Sequence, residues 1–150
     1  MQRSVLMLSA VLLFSLTGCA TSRPVPPAPR YTAPDLVVDK LWGWEGTETP
    51  VELFEISDPK RFTLRLKPDG TALANFDCNH GSGTYRISAG KLTFSAERIT
   101  RISCPTGDPR LALQFGNQLL AIAGFYLQNG KLYLEMPMDG GTMQFQELHH

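Results

Sequence analysis

Apolar and polar residues alternate along most of the chain from Leu36 onward, which is the pattern of half-buried β-strands. Phe62, Leu64 and Leu66 are two positions apart, so they would share one face of such a strand, with polar residues on the opposite face. Turn signals rich in proline, aspartate, asparagine and glycine separate the alternating runs, since these residues favour the backbone angles of tight turns. The pattern predicts hairpin turns at residues 67–70, 88–91, 129–130 and 139–141.

One segment departs from the two-residue period and predicts a helix over residues of about 109–121. Leu111, Phe115 and Leu119 recur every four residues, so they would form one apolar stripe on that helix. Asp108 is a suitable N-cap, and a proline follows it at the first helical position. The expected fold class is therefore α+β, a small antiparallel β meander or cracked barrel with one packed helix. Partial closure of the sheet would protect its edges.

Residues 1–18 have the composition of a lipoprotein signal peptide. An arginine near the start precedes an almost wholly apolar run, which is shorter than the roughly 20 residues that span a bilayer. The run leads into a Leu-Thr-Gly-Cys motif that ends at Cys19 and resembles the bacterial lipobox, in which the cysteine is acylated after cleavage. We therefore expect Cys19 to carry lipid and to anchor the protein in the membrane. In the lipoproteins that this motif resembles, aspartate after the cysteine favours retention in the inner membrane, so Ala20 indicates the outer membrane.

A proline-rich segment follows the expected anchor. Residues 19–35 contain Pro24, Pro26, Pro27, Pro29 and Pro34, from a chain total of 11 prolines. This composition favours extended polyproline II structure, at about 3.1 Å per residue. We expect residues 19–35 to form a tether, and its roughly 15 residues after Cys19 could hold the domain on the order of 40 Å from the lipid. The folded domain would then span residues 36–148.

Composition and charge restrict the classes of function. A chain of 150 residues with 43% apolar residues suits one globular domain. Fourteen basic and fourteen acidic residues give a formal net charge of zero, so no nucleic-acid partner is expected. Among the three cysteines, assignment of Cys19 to lipid leaves Cys78 and Cys104. An even pair of cysteines in an exported chain predicts a disulfide.

The stretch around Cys78 contains residue types that could carry chemistry. Cys78 and His80 could form a nucleophile and its base, although this requires a free thiol. A hydrolase or metal site built on Asp77 and His80 is another possibility. His149 and His150 could add metal ligands, but no pair has the spacing of a structural zinc motif. We expect a disulfide clasp here, with no catalytic residues, no metal and no cofactor.

Trp42 and Trp44 are the other conspicuous pair of residues. Because they are two positions apart in a strand-like segment, their side chains would lie on one face. They could close one end of a barrel, or they could form the aromatic wall of an apolar groove. On the second interpretation, Trp42, Trp44 and His80 form a candidate binding surface.

Two cysteine motifs resemble those of the META domain family, which is typified by bacterial heat-shock lipoproteins of the HslJ type. Residues 76–85, Phe-Asp-Cys-Asn-His-Gly-Ser-Gly-Thr-Tyr, are similar to the family's Gly-Cys-Asn followed by Ser-Gly-x-Tyr. Residues 100–105, Thr-Arg-Ile-Ser-Cys-Pro, are similar to its Thr-x-Met-Ala-Cys segment, and the helix and an Asn-Gly-Lys-Leu hairpin follow in the family's order. The chain departs from the family at two positions: Asp77 replaces the glycine before the first cysteine, and Ser103 replaces a small apolar residue before the second. The resemblance covers residues 41 to about 145.

The resemblance implies a cracked barrel or meander with an inserted helix, and an association with envelope stress or antibiotic tolerance. It implies no known enzymatic activity. We therefore expect a non-enzymatic, lipid-anchored domain that faces the periplasm from the outer membrane and binds an unknown envelope protein or ligand. The alternatives are an inhibitor or pilot lipoprotein, such as a lysozyme-type inhibitor or a secretin pilot, and a hydrolase or metal enzyme that uses Asp77 and His80.

Overall fold

Nine strands and one α-helix form the regular structure of residues 27–149, the part of the chain that the computed structural model describes. The helix α1 spans Pro109–Ala121, and two short 3₁₀ helices span Pro34–Leu36 and Pro59–Arg61. The predicted α+β class and the predicted helix are confirmed. The strands are β1 (Leu41–Glu48), β2 (Leu53–Glu55), β3 (Phe62–Leu66), β4 (Thr71–Phe76), β5 (Asn79–Ser88), β6 (Lys91–Ile99), β7 (Gly124–Gln128), β8 (Lys131–Glu135) and β9 (Thr142–Glu147).

The turns predicted from the sequence connect these strands into hairpins. Asn129 and Gly130 have φ angles of 53° and 74°, as a two-residue turn between β7 and β8 requires. Between β3 and β4, the Asp69 carboxylate accepts a hydrogen bond from the Thr71 backbone N–H at 2.9 Å. Strand β2 and the early start of β5 at Asn79 were not predicted, because neither segment alternates apolar with polar residues.

The sheet is antiparallel throughout and curled. Its strand order is β6-β5-β4-β3-β1-β9-β8-β7, with β2 paired to β1 outside this path. The two ends of this order, β6 and β7, approach each other, and no ladder joins them in the described residues. Helix α1 connects β6 to β7 in the chain and packs against β6 and β4. The result is the expected cracked barrel, with the helix beside its opening.

One aromatic cluster lies at the centre of the core between the sheet and α1. The ring centroid of Phe115 lies 4.9 Å from that of Trp44, 5.6 Å from that of Phe62 and 5.5 Å from that of Phe76. Aromatic rings attract each other at these separations. Phe115 is therefore the residue through which the helix joins the sheet.

Trp42 and Trp44 belong to this core, so the prediction that they form a binding surface is wrong. Both side chains are 0% exposed. The Trp42 indole donates a hydrogen bond to the Val37 carbonyl at 2.9 Å, and the Trp44 indole donates to the Gly46 carbonyl at 2.7 Å. An enclosed ring whose N–H already has a backbone acceptor offers no contact to a ligand.

The last part of the predicted tether packs onto the domain. Tyr31 and Leu127 of β7 exchange backbone hydrogen bonds of 2.9 and 2.7 Å. The Arg30 guanidinium lies 4.3 Å from the ring centroid of Tyr126. These contacts partly cover the edge of β7, which is otherwise open to pairing with another chain. Residues from Ala28 to Tyr31, which the sequence assigned to the tether, therefore contact the domain.

Several expectations concern residues outside the described part of the chain. They are the signal peptide over residues 1–18, the lipidation of Cys19, and the tether as far as residue 26. These statements remain predictions. Within residues 27–149, no helix is both long enough and apolar enough to cross a membrane.

Candidate functional site

A disulfide fastens the loop over residues 100–107 to the turn between β4 and β5. Cys78 in that turn is bonded to Cys104, with the two Cα atoms 5.8 Å apart and a sequence separation of 26. The predicted disulfide is therefore present. Because the sulfur of Cys78 is oxidised, it is not a nucleophile. We refer to this disulfide and the polar contacts around it as the clasp.

Asn79, the first residue of β5, contributes most of the polar contacts of the clasp. Its Oδ1 accepts hydrogen bonds from the Thr100 hydroxyl at 2.9 Å and from the Ile102 backbone N–H at 2.7 Å. Its Nδ2 donates to the Ile102 carbonyl at 3.0 Å. An asparagine beside a turn commonly bonds to the backbone of that turn. Asn79 instead orders a distant loop, because strand β5 begins at this residue and points its amide at the 100–107 segment.

Asp77 pairs with Arg61 beside the disulfide. Nε and Nη2 of Arg61 donate to the two carboxylate oxygens at 2.8 and 2.6 Å. These hydrogen bonds hold the pKa of Asp77 below its usual value, since they favour the charged carboxylate. A Cβ atom at Gly107 would collide with Cys104 and Asp77, so glycine is needed for the loop to approach this closely.

His80 does not join a reactive group with its neighbours. Its Nδ1 lies 2.8 Å from Oδ1 of Asn75, the residue opposite it on β4. Cys78 lies in a turn, so strand alternation does not bring it to the face of His80. Within the described residues, no three His, Cys, Asp or Glu side chains are grouped so that they could hold a metal ion.

An apolar groove lies between α1 and strands β4, β5 and β6, with the clasp at its edge. Its volume is about 570 Å³, which is in the range of small-molecule binding sites. Small residues on both walls leave this space open, whereas larger side chains would fill it as they fill the core. The small residues that line the groove include Ala72, Ala74, Gly81, Gly83, Ala96, Ala112 and Gly116.

Larger apolar side chains form the floor and the rim of the groove. On the floor, the ring of Phe76 packs against Gly81 and Gly116, where a Cβ atom would crowd it. Contiguous apolar patches are typical of interaction sites, whereas exposed aliphatic side chains scattered singly are ordinary surface. The rim residues are Ile99, Ile102, Leu113 and Leu120, with exposed fractions of 48%, 61%, 65% and 50%.

The sequence interpretation missed the groove because it assigned only one apolar stripe to α1. Phe115 and Leu119 of that stripe are buried in the core. Leu113 and Leu120 are seven positions apart, so they lie on one side of the helix and form a second stripe. Both line the groove. This second apolar pair is the feature of the sequence from which the groove could have been predicted.

Arg101 is the charged residue of the groove lining that has no ionic partner in the described part of the chain. The Asp77 carboxylate is occupied by Arg61. The Asp108 carboxylate accepts hydrogen bonds from the first backbone N–H groups of α1, which lower the pKa of Asp108. The two carboxylates of the lining are therefore engaged elsewhere, and Arg101 leaves a positive charge beside the clasp.

Comparison with known proteins identifies both a family and a fold. The family model of the META domain matches residues 40–150. An NMR structure of a protein from Burkholderia xenovorans superposes with a TM-score of 0.69 at 23% identity, over 90% of this chain and 100% of that chain. A crystal structure of a duf4847 family protein from Bacteroides vulgatus superposes with a TM-score of 0.59 at 12% identity, over 75% of this chain and 94% of that chain. No curated protein sequence matches the chain at a significant level.

Proposed function

The chain belongs to the META domain family, and from this premise we propose that it is a non-enzymatic, lipid-anchored binding domain of the bacterial envelope. It binds another envelope component in the groove beside α1 and thereby contributes to envelope integrity under stress. The groove carries this proposal, since it combines about 570 Å³ of apolar space with a rim of exposed aliphatic side chains. Concave, mostly apolar sites of this size are the usual form of a ligand site.

The expected lipid anchor determines where the groove would act. Several acyl chains on Cys19 would hold the protein far more firmly than one chain does. Ala28 contacts the domain through Gln128, and it lies about nine positions after Cys19. Even fully extended, nine residues reach at most roughly 30 Å. The groove would therefore remain close to the membrane surface that carries the anchor.

The groups that the sequence offered for catalysis have structural partners, which supports a binding function. Cys78 is in the disulfide, and Asp77 is in a two-bond ion pair with Arg61. His80 contacts Asn75 and does not line the groove. Arg61 and Asp77 hold the clasp, and the clasp fixes one edge of the groove.

Mass spectrometry of the protein purified from membranes tests the anchor. We expect the mature chain to begin at Cys19, with a diacylglyceryl group on the sulfur and an acyl chain on the new amino terminus. Cys19→Ala should abolish both the cleavage and the acylation. A mature chain that begins at another residue, or that carries no lipid, would contradict the proposed anchor.

Substitutions at the rim test the groove. Leu113→Lys combined with Leu120→Lys places two charges on the helical side of the rim, where both side chains are at least half exposed. The matched control is Leu73→Lys, because Leu73 is 40% exposed and alternates with groove-lining residues along β4.

The lipidated proteins are compared by crosslinking in intact envelopes and by growth of a deletion strain under envelope stress. The wild type and the Leu73 variant should capture the same envelope component and restore growth, and the rim variant should do neither. Equal capture and growth by all three proteins would show that the groove is not the binding site.

A further inference from the structure

We propose that the ligand of the groove is an anionic amphiphile with a single acyl chain, whose chain lies along α1 and whose headgroup contacts Arg101. This inference rests on the proposed function, because it names the chemical class that the groove binds. Three properties of the groove lead to it: its length, the chemistry of its lining and the position of its unpartnered charge.

The length of the groove matches an acyl chain. The helical residues of its lining extend from Pro109 to Leu120, which corresponds to about 17 Å at a rise of about 1.5 Å per residue. The hydrocarbon core of a bilayer is about 30 Å thick, so one layer of acyl chains is about 15 Å deep. One chain of ordinary length can therefore lie along the helix with its methylene groups against the small residues of the walls.

The backbone of β5 on the groove floor offers no free hydrogen-bonding edge to a bound peptide. A bound peptide needs hydrogen-bond partners for its own backbone N–H and C=O groups. On the groove floor, β5 is paired on both sides, with β4 and with β6. At the clasp, the side chains of Asn79 and Thr100 are bonded to each other. An acyl chain requires no such partners and gains from the contact with apolar walls.

The position of Arg101 accounts for the negative headgroup. The clasp holds the residues on both sides of Arg101, since Asn79 bonds to Thr100 and to Ile102. Ile102 is exposed on the rim, so a charge and an apolar surface meet at this edge of the groove. A guanidinium binds carboxylate and phosphate oxygens with paired hydrogen bonds. The carboxylates of the lining do not compete for Arg101, because they are engaged elsewhere.

Titration with a series of chain lengths tests the acyl chain. The protein is the chain from residue 20, exported behind a cleavable leader, which retains every strand, the helix and the disulfide. Saturated fatty acids and lysophosphatidylglycerols are titrated below their micelle concentrations, with lysophosphatidylcholine as the zwitterionic reference. Affinity should rise roughly fourfold per added methylene group, and it should level off once the chain is as long as the groove. Tighter binding of one anionic series over the other distinguishes a fatty acid from a lysophospholipid as the source.

Two pairs of variants test the placement of the ligand. Ala96→Trp fills the groove from its β6 wall and should weaken binding at least tenfold, whereas Leu73→Trp on the other face of β4 should leave binding unchanged. Arg101→Gln should weaken binding of the anionic series severalfold and leave the zwitterionic reference unchanged. Its control is Arg98→Gln, since Arg98 is also exposed but does not line the groove. Circular dichroism confirms that each variant is folded.

Three results would overturn the inference: affinity that does not depend on chain length, undiminished binding by the folded Ala96 variant, or equal effects of the two arginine substitutions. If no amphiphile binds but an envelope protein is still captured through the rim, this inference fails and the proposed function stands. If neither binding is found, both are wrong.

Discussion

Removal of the disulfide is expected to lower the free energy of unfolding by about 3.5 kcal/mol. The perturbation is the double substitution Cys78→Ala with Cys104→Ala. The cross-link closes a loop with a sequence separation of 26, and a loop of this size removes about 12 cal/mol/K of entropy from the unfolded chain, or about 3.5 kcal/mol at room temperature. The folded structure should persist, because Asn79 and the pair formed by Arg61 and Asp77 still hold the loop.

Urea unfolding of the chain from residue 20, followed by tryptophan fluorescence, measures this effect. Trp42 and Trp44 are fully buried, so their emission reports the loss of the core. The double variant should unfold at lower urea, and its free energy should fall more steeply with urea, because an unfolded chain without the cross-link exposes more surface. Wild-type protein treated with a reductant should behave like the double variant.

A loss of less than about 1 kcal/mol, together with an unchanged urea dependence, would refute this reasoning. It would show that the cross-link does not restrict the unfolded chain and that polar contacts alone hold the loop. A reduced wild type that remains more stable than the double variant would instead assign part of the loss to packing of the two sulfur atoms.

Three further predictions concern the core, the helix and the clasp. Phe115→Ala should destabilise the domain by about 3–5 kcal/mol in urea unfolding, since it removes the central ring of the aromatic cluster; a loss below 1 kcal/mol would contradict that position. Gln118→Ala should lower the free energy of unfolding by about 1–3 kcal/mol, because it leaves the hydroxyl of Thr47 without its acceptor; Thr47 is 1% exposed and donates to Gln118 at 2.8 Å. Adding Thr47→Val should recover part of the loss. No recovery would contradict the pairing. Arg61 lowers the pKa of Asp77, so the Asp77 carboxylate stabilises the fold above the ordinary aspartate pKa of about 4, and this stabilisation is lost as the pH falls through the lower folded value. Asp77→Asn should therefore flatten the acid side of the profile of stability against pH. An unchanged profile would refute this linkage.

The local features of the fold could be predicted from the sequence. Asn129 and Gly130 determine their hairpin because both must adopt positive φ angles, which few residue types accept. Helix α1 begins at the predicted position, because Asp108 caps the first N–H groups and a proline follows it. Such signals act over a few residues, so they do not depend on the rest of the chain.

The lipid anchor is also predicted from the sequence, but on a different basis. On this prediction, the apolar run and the motif that ends at Cys19 would be read by processing enzymes before the domain acts. The folded domain has no part in that recognition. For this reason the prediction rests on the sequence and on the proposed mass spectrometry, and not on the tertiary structure.

The environment of each residue was decided by tertiary structure. Strand alternation placed Trp42 and Trp44 on one face, but it could not show that this face is enclosed. The side chains are buried because β9 pairs with β1 and Phe115 of α1 lies over Trp44. The role of Asn79 also depends on tertiary structure, because its hydrogen-bond partners at residues 100 and 102 are remote in sequence.

The sequence by itself determined the hairpins, the helix and the predicted cysteine pair, because local backbone preferences and cysteine chemistry decide them. Only the tertiary structure produced the groove. Ala74 and Gly81 on the sheet and Gly116 on the helix are unremarkable as separate residues. They leave an open space because the curled sheet brings α1 over them, and the volume between two packed surfaces depends on both. Such a groove, lined by small side chains, forms only when its two walls face each other.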